Sequence, residues 1–125
     1  MQASDIRIDT ERLRHELAAF SGAPTRTRHW SRRLLYTQGI EHFAAQARAW
    51  WLIDLIASLQ RSRPVADAPF QVWMLTVATD RSATLRCEDG DDGHLKTKRI
   101  ACTDFPLDAI TVWVAGDTLM LPSEY

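Results

Sequence analysis

The sequence predicts an α+β fold: N-terminal helices packed on a roughly five-stranded, mostly antiparallel sheet. Two observations carry this. Residues 1–63 place their apolar side chains at helical spacing, whereas from Phe70 onward the period changes to alternation. The two regimes meet at the linker Pro64–Pro69. At 125 residues the chain has the size of a single domain, 1–125, with a helical half (1–63) and a β half (70–125).

The first helix is expected from Thr10 to Phe20. Asp9 or Thr10 can accept from the free N–H groups of the first turn, and Gly22-Ala23-Pro24 stops it. Leu13, Leu17 and Phe20 form its apolar stripe. Thr37 then caps a second helical stretch carrying Ile40, Phe43, Ala44 and Ala47 on one side. Continued without interruption at about 100° per residue, that helix puts Asp54 on the same apolar stripe. A carboxylate there must be paired, hydrogen-bonded or protonated. The spacing therefore predicts a bend or break near Gln46–Ala49, although no Gly or Pro lies there to enforce it.

In the β half, Phe70–Val77 is apolar on both faces, as in a central strand covered on both sides. Ala83, Leu85 and Cys87 alternate with polar residues. The loop Asp89–His94 leads into a strand over Thr97–Cys102. Ile110–Ala115 is followed by a two-residue turn at Gly116-Asp117, which pairs Val114 with Leu119, Val112 with Leu121 and Trp113 with Met120. Pro122 closes the last strand, the mark of an edge. The five tryptophans (30, 50, 51, 73 and 113) are expected mostly in the core.

Composition bounds the function. Hydrophobic residues make up 46% and charged residues 25%, as in soluble globular proteins. The N-terminus lacks a signal pattern, and the apolar run around Trp50 is too short to span a bilayer and is broken by Asp54. No membrane association and a cytoplasmic location are expected, in a bacterial-type or infected host cell. The two cysteines do not form a disulfide framework. Net charge is −1, but the first 63 residues carry ten arginines against six acidic groups, while residues 64–125 carry five basic against ten acidic groups.

Each candidate site has its own chemistry. Asp54 could act as a general base, yet the nearest histidine, His42, would face another way on a continuous helix. A structural buried carboxylate is the stronger reading, holding Arg32 or Arg33, the Tyr36 hydroxyl or a tryptophan indole. The aspartates of 89–92 fail the spacing of a calcium loop, since Gly93, His94 and Ile100 fall where ligands or the invariant glycine belong. Cys87 and Cys102, set on one face of neighbouring strands by a hairpin symmetric about His94-Leu95, are expected as two buried free thiols and not as a zinc site. Ser58 and Ser123 have no base visible in sequence. No metal, no cofactor and no enzymatic activity are expected.

Two surfaces remain. Arg26, Arg28, Trp30, Arg32 and Arg33 form a basic, aromatic stretch suited to nucleic acid, although Trp30 can instead anchor in the core beside Leu34. Glu88, Asp89, Asp91, Asp92, Asp104 and Asp108 lie on turns and can form a negative face for a protein partner.

A set of landmarks also resembles a known family. The segments are Arg-His-Trp at 28–30, Leu-Leu-Tyr-Thr-Gln-Gly at 34–39, Trp-Leu-Ile-Asp-Leu-Ile-Ala-Ser at 51–58, Phe-Gln-Val-Trp at 70–73, Thr-Asp-Phe-Pro-Leu at 103–107 and Leu-Pro-Ser-Glu-Tyr at 121–125. Together they resemble a family of uncharacterised small proteins, a domain of unknown function found in bacteria, plasmids and phages. The chain departs from it in lacking a glycine within Ala45–Ala49. The resemblance implies no activity and points to a mobile-element role. The leading expectation is therefore a non-enzymatic protein-binding module of a phage or mobile element, by analogy an inhibitor of host defence of the anti-CRISPR kind. Its partner would be a host protein or protein–nucleic-acid complex, and a homo-oligomer is compatible with the sequence. The alternative is a nucleic-acid-binding accessory protein using Arg26–Arg33.

Overall fold

The computed structural model describes residues 9–20 and 26–125; the expected stop at Gly22-Ala23-Pro24 lies outside them. Among the described residues three α-helices, α1 (Thr10–Ala19), α2 (Gln38–Gln46) and α3 (Trp50–Leu59), pack on one sheet. Its strands are β1 (Arg26–Arg28), β2 (Leu35–Thr37), β3 (Phe70–Val77), β4 (Ala83–Glu88), β5 (His94–Ile100), β6 (Ala109–Ala115) and β7 (Thr118–Met120). The order across the sheet is β1-β2-β7-β6-β3-β4-β5.

The α+β class holds, but the sheet has seven strands instead of about five, and it is mixed. β2 runs parallel to β7, while the other pairings are antiparallel. The two additional strands come from the basic stretch and the residues just after it. Residues 26–37 form a hairpin closed by the His29 N–H on the Leu34 carbonyl (2.8 Å), with Arg32 N–H donating to the His29 carbonyl (2.8 Å). Its turn needs a left-handed residue, and Arg32 fills that position at φ +65°. A glycine or asparagine there is the usual sequence signal of a hairpin, and it is missing.

α1 begins at Asp9, whose Oδ1 accepts the Arg12 N–H at 3.0 Å, and it buries Leu13 and Leu17. The predicted break between the next two helices is present. α2 ends with Arg48 at φ +53°, and the Ala49 N–H turns back to the Ala44 carbonyl at 2.9 Å, the Schellman arrangement usually built on glycine. Arginine thus occupies the glycine role absent from Ala45–Ala49. The restart re-aims α3, so that Leu52, Ile53, Ile56 and Ala57 enter the core and Asp54 does not.

The core lies between the helices and one face of the sheet. Trp73, Leu75, Leu85, Val112, Val114 and Leu119 meet Ile40, Phe43, Leu52, Ile53 and Ile56 there. Phe105, from the β5–β6 connection, stacks edge-on against Phe43 and Trp51. Gln71 is buried on this face, where it exchanges side-chain hydrogen bonds with Gln60 (2.8 and 2.9 Å) and accepts the Trp73 indole N–H at 2.8 Å.

Several expectations are corrected. β3 is central but not enclosed: Phe70, Val72 and Met74 on its other face are only half-buried, beside the edge-to-face group Phe70, Trp113 and Tyr125. β7 is not an edge, because β2 pairs with it; the Trp113–Met120 and Val114–Leu119 register is as expected. The β4–β5 hairpin is closed by Asp89 and Gly93, not centred on His94-Leu95, so Cys87 lies opposite Lys96. Cys102 falls beyond the end of β5 and is exposed; Cys87 alone is a buried thiol. Of the tryptophans Trp73 is fully buried, while Trp30 and Trp50 are exposed.

Residues 122–124 close the structure from the C-terminal side. Glu124 is buried, and its Oε1 accepts the Thr37 hydroxyl (2.6 Å) and the Leu121 N–H (2.9 Å) while Oε2 accepts the Gly39 N–H (3.1 Å). A carboxylate therefore sits at the positive end of α2, alongside the Thr37 cap that accepts the Ile40 N–H.

Candidate nucleic-acid interface

Alternation along β1 and the pairing Arg28–Leu35 direct His29 and Leu34 inward beneath α3. The four-residue crown Trp30–Arg33 is left at the surface. Trp30 is 78% exposed, which overturns its role as a core anchor: Leu34 fills the interior position and the Arg32 turn holds the indole outside. The ring is nevertheless fixed, since its Nε1–H donates to Asp54 Oδ1 at 3.0 Å.

Asp54 is thus a hydrogen-bonded carboxylate on the rim of α3, not the buried one expected, since its side chain is 45% exposed; an indole, one of the expected partners, does bond it. Arg32 and Arg33 do not reach it. The second partner is His29, whose Nε2 lies 2.7 Å from the same Oδ1. Its tautomer follows from geometry. The Ser31 backbone N–H can only donate, and it points at His29 Nδ1 (3.1 Å). Nδ1 is therefore the acceptor, and the ring proton sits on Nε2, directed at the carboxylate.

Ser31 Oγ also lies 2.8 Å from Nδ1. Hydroxyl, imidazole and carboxylate thus stand in line, a constellation not legible in the sequence. Its hydrogen bonds serve the turn. The Nδ1 lone pair already holds the Ser31 N–H, and Ser31 Oγ accepts the Arg33 N–H at 3.3 Å. His42, the other histidine considered for Asp54, binds Glu16 at 2.9 Å.

Trp50, Asp54, Ser58 and Arg61 follow one another along one side of α3 and just past its end. Between this ridge and the crown lies a pocket of about 230 Å³ lined by Trp30, Ser31, Arg33, Asp54, Ser58 and Arg61. Of the predicted basic set, Trp30 and Arg33 line it. Arg26 and Arg28 alternate to the opposite sheet face, where Arg28 reaches the Arg32 carbonyl at 3.5 Å. Arg61, Ser58 and His29 were not among the expected site residues. Their signals are spacing: Ser58 and Arg61 are four and seven residues beyond Asp54, and His29 alternates with Arg26 and Arg28.

The acidic set is divided. Glu88, Asp89, Asp91 and Asp92 occupy the β4–β5 tip, where Asp89 Oδ1 accepts the N–H groups of Asp91 (2.7 Å) and Gly93 (2.9 Å). Those bonds hold the Asp89 carboxyl below its ordinary pKa. Asp104 and Asp108 are at the opposite end of β4, roughly 17 Å away at about 3.3 Å per residue. A hollow of about 400 Å³ beside Asp104 is lined by Trp51, Ile100, Cys102 and Thr103 and contains no cationic group. Among the described residues no cluster of three or more His, Cys, Asp or Glu could hold a metal, and no helix is long and apolar enough to cross a membrane.

Comparison with known proteins places the chain in a family: the profile of DUF6876, a family of unknown function, matches residues 11–125, and the chain belongs to it. No curated protein and no solved structure matches.

Proposed function

We propose that this DUF6876 member is a nucleic-acid-binding protein that seats a single strand on Trp30 and neutralises its phosphates with Arg33 and Arg61. The observation that carries the reading is a tryptophan 78% exposed yet locked through its N–H to Asp54. A fixed indole offers a flat stacking surface with little ordering cost on binding, and aromatic stacking beside cationic groups is how single strands are held without sequence-specific pairing. The arginines of the pocket supply charge-assisted contacts to phosphate.

Trp30→Ala is expected to weaken binding of a single-stranded oligonucleotide by about 1–3 kcal/mol, with Arg33→Ala and Arg61→Ala each flattening the salt dependence. Two phosphate contacts give a slope near −1.4 in log affinity against log salt, at about −0.7 per contact. Filter binding across salt concentrations measures both. Unchanged affinity in Trp30→Ala sinks the reading.

A second reading is favoured by the β4–β5 tip, where Asp89, Asp91 and Asp92 stand on a loop closed by Asp89 and Glu88 at its base pairs with Arg86 (2.7 Å). Such a tip suits insertion into a basic cleft of a host protein, as in a phage or mobile-element inhibitor of nucleic-acid-guided defence. Asp91→Asn with Asp92→Asn should then abolish recovery of a partner that the wild-type protein captures from host lysate. Equal recovery by the two proteins would dismiss the tip as the contact.

A further inference from the structure

We infer that the pocket beside Trp30 reads the edge of one base, selecting amino-bearing bases, cytosine foremost, over thymine and uracil. The inference rests on the nucleic-acid reading of the same surface. Asp54 Oδ1 is occupied by two donors, the Trp30 indole (3.0 Å) and the His29 imidazole (2.7 Å). Among the described residues no donor reaches Oδ2, and the side chain is 45% exposed and lines the pocket. The carboxylate is therefore clamped at one oxygen and open at the other. Because its clamp is the indole N–H itself, the open oxygen stands at the rim of the stacking plate, where a base lying on Trp30 brings its hydrogen-bonding edge.

The rest of the lining sets what that edge must be. Arg33 and Arg61 are donors with no acceptor capacity, whereas the Ser58 hydroxyl is committed to the Leu55 carbonyl (2.7 Å) and Ser31 Oγ to His29 Nδ1 and the Arg33 N–H. One charged acceptor beside two guanidinium donors complements an edge with one amino group beside ring and carbonyl acceptors. Cytosine has that order: its N4 amino donates to the carboxylate, a recognised aspartate contact, while N3 and O2 face the guanidinium groups. Adenine and guanine also carry exocyclic amino groups. Thymine and uracil can offer only a ring N–H flanked by two carbonyls, so a carboxylate oxygen that accepts it lies against a carbonyl oxygen on either side. An acceptor against an acceptor in a partly desolvated pocket is penalised. Hence the stack is common to all bases and the Asp54 contact discriminates among them.

The test compares dC and dT oligomers of equal length by fluorescence anisotropy with the full chain near neutral pH. The dC oligomer is expected to bind about tenfold tighter, and Asp54→Asn to bring the ratio close to one. A ligand-side arm works even if that variant does not fold: dC oligomers carrying N4,N4-dimethylcytosine, which has no amino hydrogen, should lose about tenfold against the wild-type protein. Equal binding of dC and dT, or an undiminished dimethyl ligand, overturns the inference while leaving the nucleic-acid reading intact. Failure of every oligomer to bind overturns both.

Discussion

Glu124→Ala is expected to cost the fold about 3–5 kcal/mol, measured by urea unfolding. The carboxylate is buried and accepts from Thr37 Oγ1, the Leu121 N–H and the Gly39 N–H, and truncation strands all three donors in the interior. Glu124→Gln should cost less, about 1–2 kcal/mol, since one acceptor survives and an amide N–H confronts a backbone N–H. Gly39 supplies a sharper check. A Cβ built there lies 2.5 Å from Glu124 Oε1 and 2.6 Å from Cδ, so Gly39→Ala displaces the carboxylate. Once the carboxylate is gone, the methyl group has room. Gly39→Ala is thus expected to cost about 2–3 kcal/mol in the wild-type background and far less in Glu124→Ala. Additive costs in the double variant, within about 0.5 kcal/mol, would contradict this account of the packing.

The second large effect is alkaline. Burial pushes the Cys87 thiol from its ordinary 9.0 up to about 12, with the Glu88 and Asp89 carboxylates adding to the shift. Below pH 9 the thiol is protonated in both folded and unfolded chains, and it contributes no pH dependence. Above pH 9 the unfolded chain releases a proton that the folded chain retains. Stability therefore falls, by up to about 1.4 kcal/mol per pH unit, until the folded thiol also ionises near pH 12. Lysine and tyrosine titrate in the same range, so the informative quantity is a difference. Cys87→Ala should unfold with a shallower pH slope than the wild-type protein, whatever its absolute stability. Parallel slopes would show that Cys87 is not held protonated by the fold.

The elements that were legible in the sequence are those whose signal is periodic. The stripe Leu13–Leu17, the Thr37 cap, the alternation of β4 and the Gly116-Asp117 turn each specify local structure, and the turn also fixed a register. The break after α2 was legible for a different reason: an unbroken helix would have carried Asp54 into the core, where an unpaired carboxylate is too costly. What escaped depends on unusual residues in left-handed positions or on partners distant in sequence. Arg32 and Arg48 occupy turns that glycine normally advertises, so the β1–β2 hairpin was concealed inside a basic stretch. β7 looked like an edge because its neighbour, β2, lies some eighty residues earlier and runs parallel to it. The site divides in the same way. Trp30 and Arg33 were nameable from composition, and an indole was among the partners foreseen for Asp54. The imidazole of His29 and the guanidinium of Arg61 required knowing that a hairpin crown passes over the flank of α3.

The parallel pairing of β2 with β7 also joins parts of the chain that lie far apart in sequence. β3, β4 and β5 form a meander whose contacts are close in sequence, and such contacts form early because little chain entropy is lost in closing them. β2 has only β1 and β7 as neighbours in the sheet, and Thr37 receives its carboxylate partner from 87 residues away. The crown that carries Trp30 is thus tied at its base to a strand some eighty residues further along the chain, while its tip is tied to Asp54 of α3.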